Sequence, residues 1–348
     1  MKKSTVTLIA GALLLLTAAA HAELQGSWTI KRVNRAQGQL HIELERDHNQ
    51  LGQNMDLADF TGLAAAQLAA GTPTAVAFSL RREAGTVDFT GEVANGRGRG
   101  DFSFAANPAY LAALEGLGVR ADRGRKHGES AEERLLSLAV LDVSTDFIRS
   151  MQAAGYRESL DKYIAMRIFG VDPELVADFR ALGMELAADE LIAGQIHGVT
   201  PEYVREMREL HGARLDHDEL VATRIHGATP EFIAEMAEHG YGDLGLDDLV
   251  AFRIHGVTPG FVEEMAGLGY RDLDGDDLIA FRIHGVTPGF VEELAELGYR
   301  DVDADDLIAF RIHGVTPAMI RELQQDGHTD VSPDDLVAMR IHGRNWRR

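Results

Sequence analysis

Apolar positions follow one rhythm in the first third of the chain and another in the rest. Leu40, Ile42 and Leu44 alternate with His41, Glu43 and Glu45, the period-two pattern of a half-buried strand. Val76, Phe78 and Leu80 repeat it, as do Val87 with Phe89 and Phe102 with Phe104. Glu83-Ala84-Gly85 and Asn95-Gly96 fall between these runs, where glycine and asparagine supply the positive φ angles of tight hairpins. The pattern predicts an antiparallel sheet of about five strands, opening with Trp28 and Ile30. Asn107-Pro108, with proline at a first helical position, and Gly118 as a stop predict a short closing helix.

Past residue 130 the spacing turns helical and the text repeats. Thr258 offers a cap and Pro259 loses nothing at the first helical position. Phe261, Val262, Met265 and Leu268 then fall on one side of a helix that Gly269 stops. A second helix starts at Asp274, with Asp277 three residues on in a capping-box arrangement, and ends at Gly285. Its apolar residues Leu278, Ile279, Phe281 and Ile283 spread round more than one face, which predicts a helix covered by neighbours on two sides. A histidine-glycine pair closes each such unit: His197, His226, His255, His284, His313 and His342 are each 29 positions apart. A fixed period of this size marks a stacked array whose units bury too little apolar surface to fold singly. The array begins before the histidines do. Val171-Asp172-Pro173 matches Val199-Thr200-Pro201, and the stretch from Val143 to Phe147 matches again, with Phe169 standing where histidine later stands.

The expected fold class is therefore α+β with two domains. A small antiparallel β domain spans 23–118 and ends in a short helix; 119–130 reads as a linker. An α-solenoid-like array of helical hairpins, each of about 29 residues and about seven in number, spans 131–343, and a basic tail occupies 344–348.

Composition changes this picture in two ways. Lys2 and Lys3 precede an apolar run from Val6 to Leu16, and Ala20-His21-Ala22 places small residues around a cleavage point, so residues 1–22 are expected to be a cleaved secretory signal. That predicts a periplasmic or secreted protein with no membrane insertion after cleavage. With no cysteine in the chain there is no disulfide and no thiolate ligand. Charge is the second change. The chain carries −21 overall, but residues 23–128 balance while 129–348 hold 43 acidic against 20 basic side chains. Such a surface repels phosphate backbones, which argues against nucleic acid; the excess is read first as a solubility feature, with a basic partner held along an acidic face as the second reading.

The histidine ladder is the one chemical feature that repeats. Equivalent residues of successive units stand about one hairpin layer apart, whereas the ligands of one metal converge within about 2.1 Å of it, so no metal site is expected. At the end of a helix each imidazole can meet free carbonyls and the negative end of the dipole, so the six are read as structural caps, with a pH response as the second reading. Gly96-Arg97-Gly98-Arg99-Gly100 lacks the spacing of a dinucleotide loop and leads into a strand; its glycines are expected to keep one strand face thin. No zinc helix, nucleophile elbow or phosphate loop occurs, so no catalytic residue and no cofactor are assigned.

The unit RIHGVTPxFVxEMxxLGY, with DDLxAxRIHG as its second half, resembles repeats of uncharacterised bacterial periplasmic proteins. It is also similar to repeats appended to membrane metallopeptidases of the beta-lactam sensor-transducer family. The resemblance covers about 140–343, and RREAGTVDFTGEVANGRGRGDFSF looks like a β module that accompanies such repeats. It implies a role near envelope sensing or regulation. The peptidase domain of that family is missing here, so proteolysis does not carry over. The function expected is a non-enzymatic periplasmic scaffold or regulator that binds an envelope protein or peptide. The alternative is a sensory module holding a small ligand in its β domain.

Overall fold

A computed structural model describes residues 24–34, 38–46, 49–121, 130–212 and 214–343. The expected signal (1–22), most of the expected linker (122–129) and the basic tail (344–348) lie outside the described residues. The chain forms two compact units, one running through Pro173 and the other from Glu174 onward.

The first unit is built on a curled antiparallel sheet with seven strands among the described residues: β1 (Leu24–Asn34), β2 (Gln39–Arg46), β3 (Asn49–Asp56), β4 (Phe60–Thr61), β5 (Thr74–Arg82), β6 (Gly85–Ala94) and β7 (Arg97–Ala106). Their order is β3-β2-β1-β7-β6-β5-β4. The alternating residues Trp28, Ile30, Leu40, Ile42, Leu44, Val76, Phe78, Leu80, Val87, Phe89, Phe102 and Phe104 are all buried on it. Seven strands replace the five expected, and composition is the reason. β3 reads NQLGQNMD and buries only Met55, because an edge strand needs no second apolar row; β4 is two residues long.

Glycines keep one strand face thin, as the sequence suggests. A Cβ on Gly98 would stand 2.6 Å from Val93 Cγ1 and 3.0 Å from the Trp28 ring, so only hydrogen fits beneath the indole. The Trp28 Nε1–H donates to the Thr90 carbonyl at 3.1 Å, which keeps this buried ring satisfied.

Short helices α1 (Ala65–Ala69) and α2 (Ala109–Gly116) follow β4 and β7, and α2 is the closing helix expected from Pro108. The next helix, α3 (Ala131–Val140), packs on β5, β6 and β7, burying Leu135, Leu138 and Ala139. The sheet thus shares its core with the start of the helical run. α4 (Thr145–Ala153) and α5 (Leu160–Ile168) complete this unit. The Glu83 carboxylate accepts from the Thr145 amide at 2.9 Å and hydroxyl at 3.1 Å. The Tyr110 hydroxyl donates to the Val143 carbonyl, and Arg82 pairs with Asp142 at 3.2 Å. Sequence character changes near 118, but compactness does not.

The second unit is helical throughout, and its helices alternate in role. First helices are α6 (Pro173–Ala181), α8 (Pro201–His211), α10 (Pro230–Met236), α12 (Pro259–Gly267), α14 (Pro288–Glu296) and α16 (Pro317–Gln325). Second helices are α7 (Ala188–His197), α9 (His217–His226), α11 (Leu246–His255), α13 (Gly275–His284), α15 (Ala304–His313) and α17 (Pro333–His342). From α8 onward each first helix opens on a threonine cap. Thr258 Oγ1, for example, accepts from the Phe261 amide at 3.2 Å, with Pro259 next in the chain. The expected capping box is present at α13, where Asp274 Oδ1 accepts from the Asp277 amide at 2.9 Å. The glycine after each of His197, His226, His255, His284 and His313 is left-handed, with φ between 73° and 76°, and the valine or alanine beyond it is fully buried.

Neighbouring second helices pack on one another from α7 to α17, and first helices from α8 to α16. The core lies between these two layers: Leu278 and Phe281 from α13 are buried with Phe261 and Met265 from α12. Tyrosines tie successive layers together. Tyr241, Tyr270 and Tyr299 donate to the carbonyls of Leu273, Val302 and Val331 at 2.7–2.8 Å. Among the described residues no helix is long and apolar enough to cross a membrane.

Candidate functional site: the outer face of the second helices

All six ladder histidines sit where the text places them, at the last residue of a second helix, and all six are exposed. They do not converge. Each belongs to its own layer, and among the described residues no group of three or more metal-ligating side chains comes together.

The capping expected of the histidines falls to another residue. Arg224 Nε donates to the His197 carbonyl at 3.2 Å, Arg311 to that of His284 at 3.2 Å, and Arg340 to that of His313 at 3.3 Å. Among the described residues none of the six imidazoles makes a hydrogen bond. The arginine from the following layer arrives first, and its fork also lies over an aromatic ring. The guanidinium carbons of Arg224, Arg253, Arg282 and Arg311 stand 4.8–5.0 Å from the ring centres of Tyr203, Phe232, Phe261 and Phe290. Arg224 and Arg311, which make both contacts, each join two successive second helices to the first helix between them and place their charge at a helix C-terminus. These arginines are staples of the stack.

The isoleucine before each histidine is the residue the sequence reading put in the wrong place. Ile283 is not covered. It is 56% exposed, and Ile196, Ile225, Ile254, Ile312 and Ile341 are 51–55% exposed. Angular position explains the error. Leu278 and Phe281, three apart, point to the core, while Ile283 lies two residues beyond Phe281 and so about 200° round the helix. The residues that share its face are Ala280, Ile279 and Asp276, at three, four and seven positions before it. Ala280 and Ile279 are half-buried and Asp276 is exposed. The same column recurs in α15 (Asp305, Ile308, Ala309, Ile312) and in α11 (Asp247, Val250, Ala251, Ile254), where Val250 is buried.

Side by side, the second helices thus present parallel rows. An aspartate row at their N-terminal ends is followed by an aliphatic row, then by the isoleucine row, with the histidines at the far rim. Seven residues separate aspartate from isoleucine on each helix, a distance of about 10.5 Å. Next to the outer aspartates a second set is drawn partly inward. Burial raises the carboxyls of Asp277 and Asp306 above the usual aspartate range, and charges on the next layer, Asp305 and Asp334 respectively, push the same way. The acidic row is therefore continuous enough for its layers to repel one another.

The opposite face differs. On α12 and α14 the outward positions are Gly260, Glu263, Glu264 and Gly267, then Gly289, Glu292, Glu293 and Glu296. On these two helices the outward positions are acidic or glycine, although Leu210 on α8 is exposed.

In the first unit, aromatic rings fill the inner face of the sheet. Trp28, Phe60, Phe78 and Phe89 pack with centroids 4.6–6.1 Å apart. No family model matches the chain, and no curated protein or solved structure does either.

Proposed function

We propose that this chain is a non-enzymatic interaction scaffold of the bacterial envelope, which presents the outer face of its second helices to another protein or peptide. One observation carries the reading. Six isoleucines, each at least half exposed, recur on one face of one helical layer. Single exposed apolar residues are ordinary on any surface, but an aligned set repeated in every layer is the mark of a contact surface. The residues that hold the stack together repeat too: threonine caps, stapling arginines and tyrosine clamps. The isoleucines have no such inward task. A leader over residues 1–22 fits a periplasmic or secreted location, and the resemblance to repeats of envelope proteins favours a sensing or regulatory setting.

A small ligand held by the β domain draws less support, because the inner face of its sheet is packed with rings. An enzymatic role draws none from the face described: its polar groups recur in every layer, so they serve the layer and not one reacting centre.

Photo-crosslinking in cells that export the full chain tests the scaffold. A photoreactive residue in place of Ile254 or Ile283 is expected to give discrete covalent adducts, and one in place of Glu264 on the opposite face is not. Equal labelling of both faces, or of neither, would remove the basis for the proposal.

A further inference from the structure

Resting on the scaffold reading, we propose that the occupant of this face is a cationic amphipathic helix lying across the second helices, its apolar stripe on the isoleucine and aliphatic rows and its basic flank on the aspartate row.

Three features of the face select this partner. The first is spacing. Adjacent packed helices lie about 8–10 Å apart, so Ile225, Ile254, Ile283 and Ile312 recur at roughly that interval. An α-helix advances about 10.5 Å in seven residues, so side chains at i and i+7 of a crossing helix meet successive isoleucines in register. Residues at i+3 and i+4 then fall over the grooves between layers. The second is width. The isoleucine and aspartate rows stand about 10.5 Å apart, and a helix with its side chains is about 10–12 Å across. A helix seated on the aliphatic rows places one edge over the carboxylates.

Charge is the third. Asp218, Asp247, Asp276, Asp305 and Asp334 are exposed along one side of the apolar rows. Behind them the inner carboxyls already repel across layers, and a row of ammonium or guanidinium groups would relieve that repulsion. On the other side stand the histidines, and the nearby arginines are held on backbone carbonyls and rings. The partner therefore needs positive charge on one flank only. A second copy of this chain fits poorly, since its acidic excess would face the same aspartates.

A designed leucine-lysine peptide of about 21 residues, patterned with helical period, is the probe; it would span about three layers. Titrated into the full-length protein, it is expected to bind and gain helicity by circular dichroism. The same composition scrambled to destroy the stripe, and a leucine-glutamate version, are expected to bind at least about tenfold more weakly. A triple variant Ile254→Ser, Ile283→Ser, Ile312→Ser should weaken the helical peptide at least about tenfold, as should Asp247→Asn, Asp276→Asn, Asp305→Asn, which should also reduce the salt dependence. Removing equal charge from the other face, with Glu263→Gln, Glu264→Gln and Glu292→Gln, should leave binding unchanged.

The isoleucines are exposed, so their replacement spares the core, and thermal melts of both variants check that it does. The variant Asp247→Lys, Asp276→Lys, Asp305→Lys should prefer the leucine-glutamate peptide, a reversal that lost folding could not produce. Equal weakening by the aspartate and glutamate triples would reduce the effect to bulk charge and overturn the proposal. So would a dimer of the free chain that the isoleucine triple dissolves, which would give the face to a second copy. No binding of the leucine-lysine peptide, with in-cell adducts at Ile254 still formed, would overturn the partner assignment and leave the scaffold standing. Loss of both would remove scaffold and partner together.

Discussion

His217 breaks the pattern at the first position of a second helix, and its surroundings predict how it can be replaced. Equivalent positions hold Leu246, Gly275, Ala304 and Pro333. His217 is 5% exposed, and neither ring nitrogen has a hydrogen-bond partner. What it packs against is Gly194 of the preceding second helix, where a Cβ would lie 3.0 Å from His217 Nε2. In the later layers the exchange runs the other way. Phe252, Phe281 and Phe310 occupy the position of Gly194, and Gly275, small itself, sits where its Cβ would touch the Phe252 ring at 3.4 Å. The layers thus trade volume across one contact, large to small or small to large.

Gly194→Phe alone should force the new ring into the imidazole and cost about 3 kcal/mol, the upper end for overpacking. His217→Ala alone loses packing but also frees two buried, unpartnered nitrogens, so its net cost should be about 1 kcal/mol. Together they recreate the Phe281–Ala304 arrangement, bury a phenyl ring worth about 2 kcal/mol and remove a glycine from a helix interior. The double variant should therefore be at least as stable as the parent, with a coupling of at least about 4 kcal/mol between the sites. Repeat arrays need not unfold in one step, so urea melts by circular dichroism should be paired with hydrogen exchange of the α7 and α9 amides. Losses that simply add would refute the volume exchange.

Two further outcomes follow from the contacts described. Arg311→Ala should cost about 1–2 kcal/mol and Arg311→Lys about half of that, because the lysine keeps charge but not the flat fork over Phe290, whereas His284→Ala should cost under about 0.5 kcal/mol; urea midpoints compare the three, and a larger loss for the histidine would restore it as the cap. Because the carboxyl of Asp306 titrates above its unfolded value, its protonated form favours folding and that contribution is lost as pH rises through the folded pKa; Asp306→Asn should thus raise the midpoint at pH 7, with the gain fading below the usual aspartate range of about 3.9, and melts from pH 3 to 7 check it.

Much of this was legible in the residues, and the parts that were not share a cause. Thr258-Pro259, Asp274 with Asp277, and the His-Gly stop act within a few residues of themselves, so spacing along the chain reveals them. β3 escaped because Asn49 to Asp56 lie on an edge where burial on one face is not required. Ile283 was placed inside because an aliphatic residue in a helix gives the same letter whether a neighbour covers it or not. Helical angles carry the signal: Asp276, Ile279, Ala280 and Ile283 make a stripe of their own, distinct from Leu278 and Phe281. Arg311 could not be found that way at all, since its carbonyl lies 27 residues back and its ring 21.

The distinction between residues that hold the stack and residues that face out of it then does the functional work. A repeat can be kept for either reason, and period alone does not separate them. The threonine caps, the stapling arginines and the tyrosine clamps of the unit are accounted for by contacts within their own layer or with a neighbouring one. The isoleucines and the outer aspartates are not, although both recur as regularly. Exposing an isoleucine six times over forgoes apolar burial in every layer and invites association. A stack selected only to fold would place a polar residue there, as the first helices do with Glu263 and Glu264 at their outward positions. The two layers of one array thus obey different rules on their outer faces, and the layer that exposes its isoleucines is the one on which we propose that a partner docks.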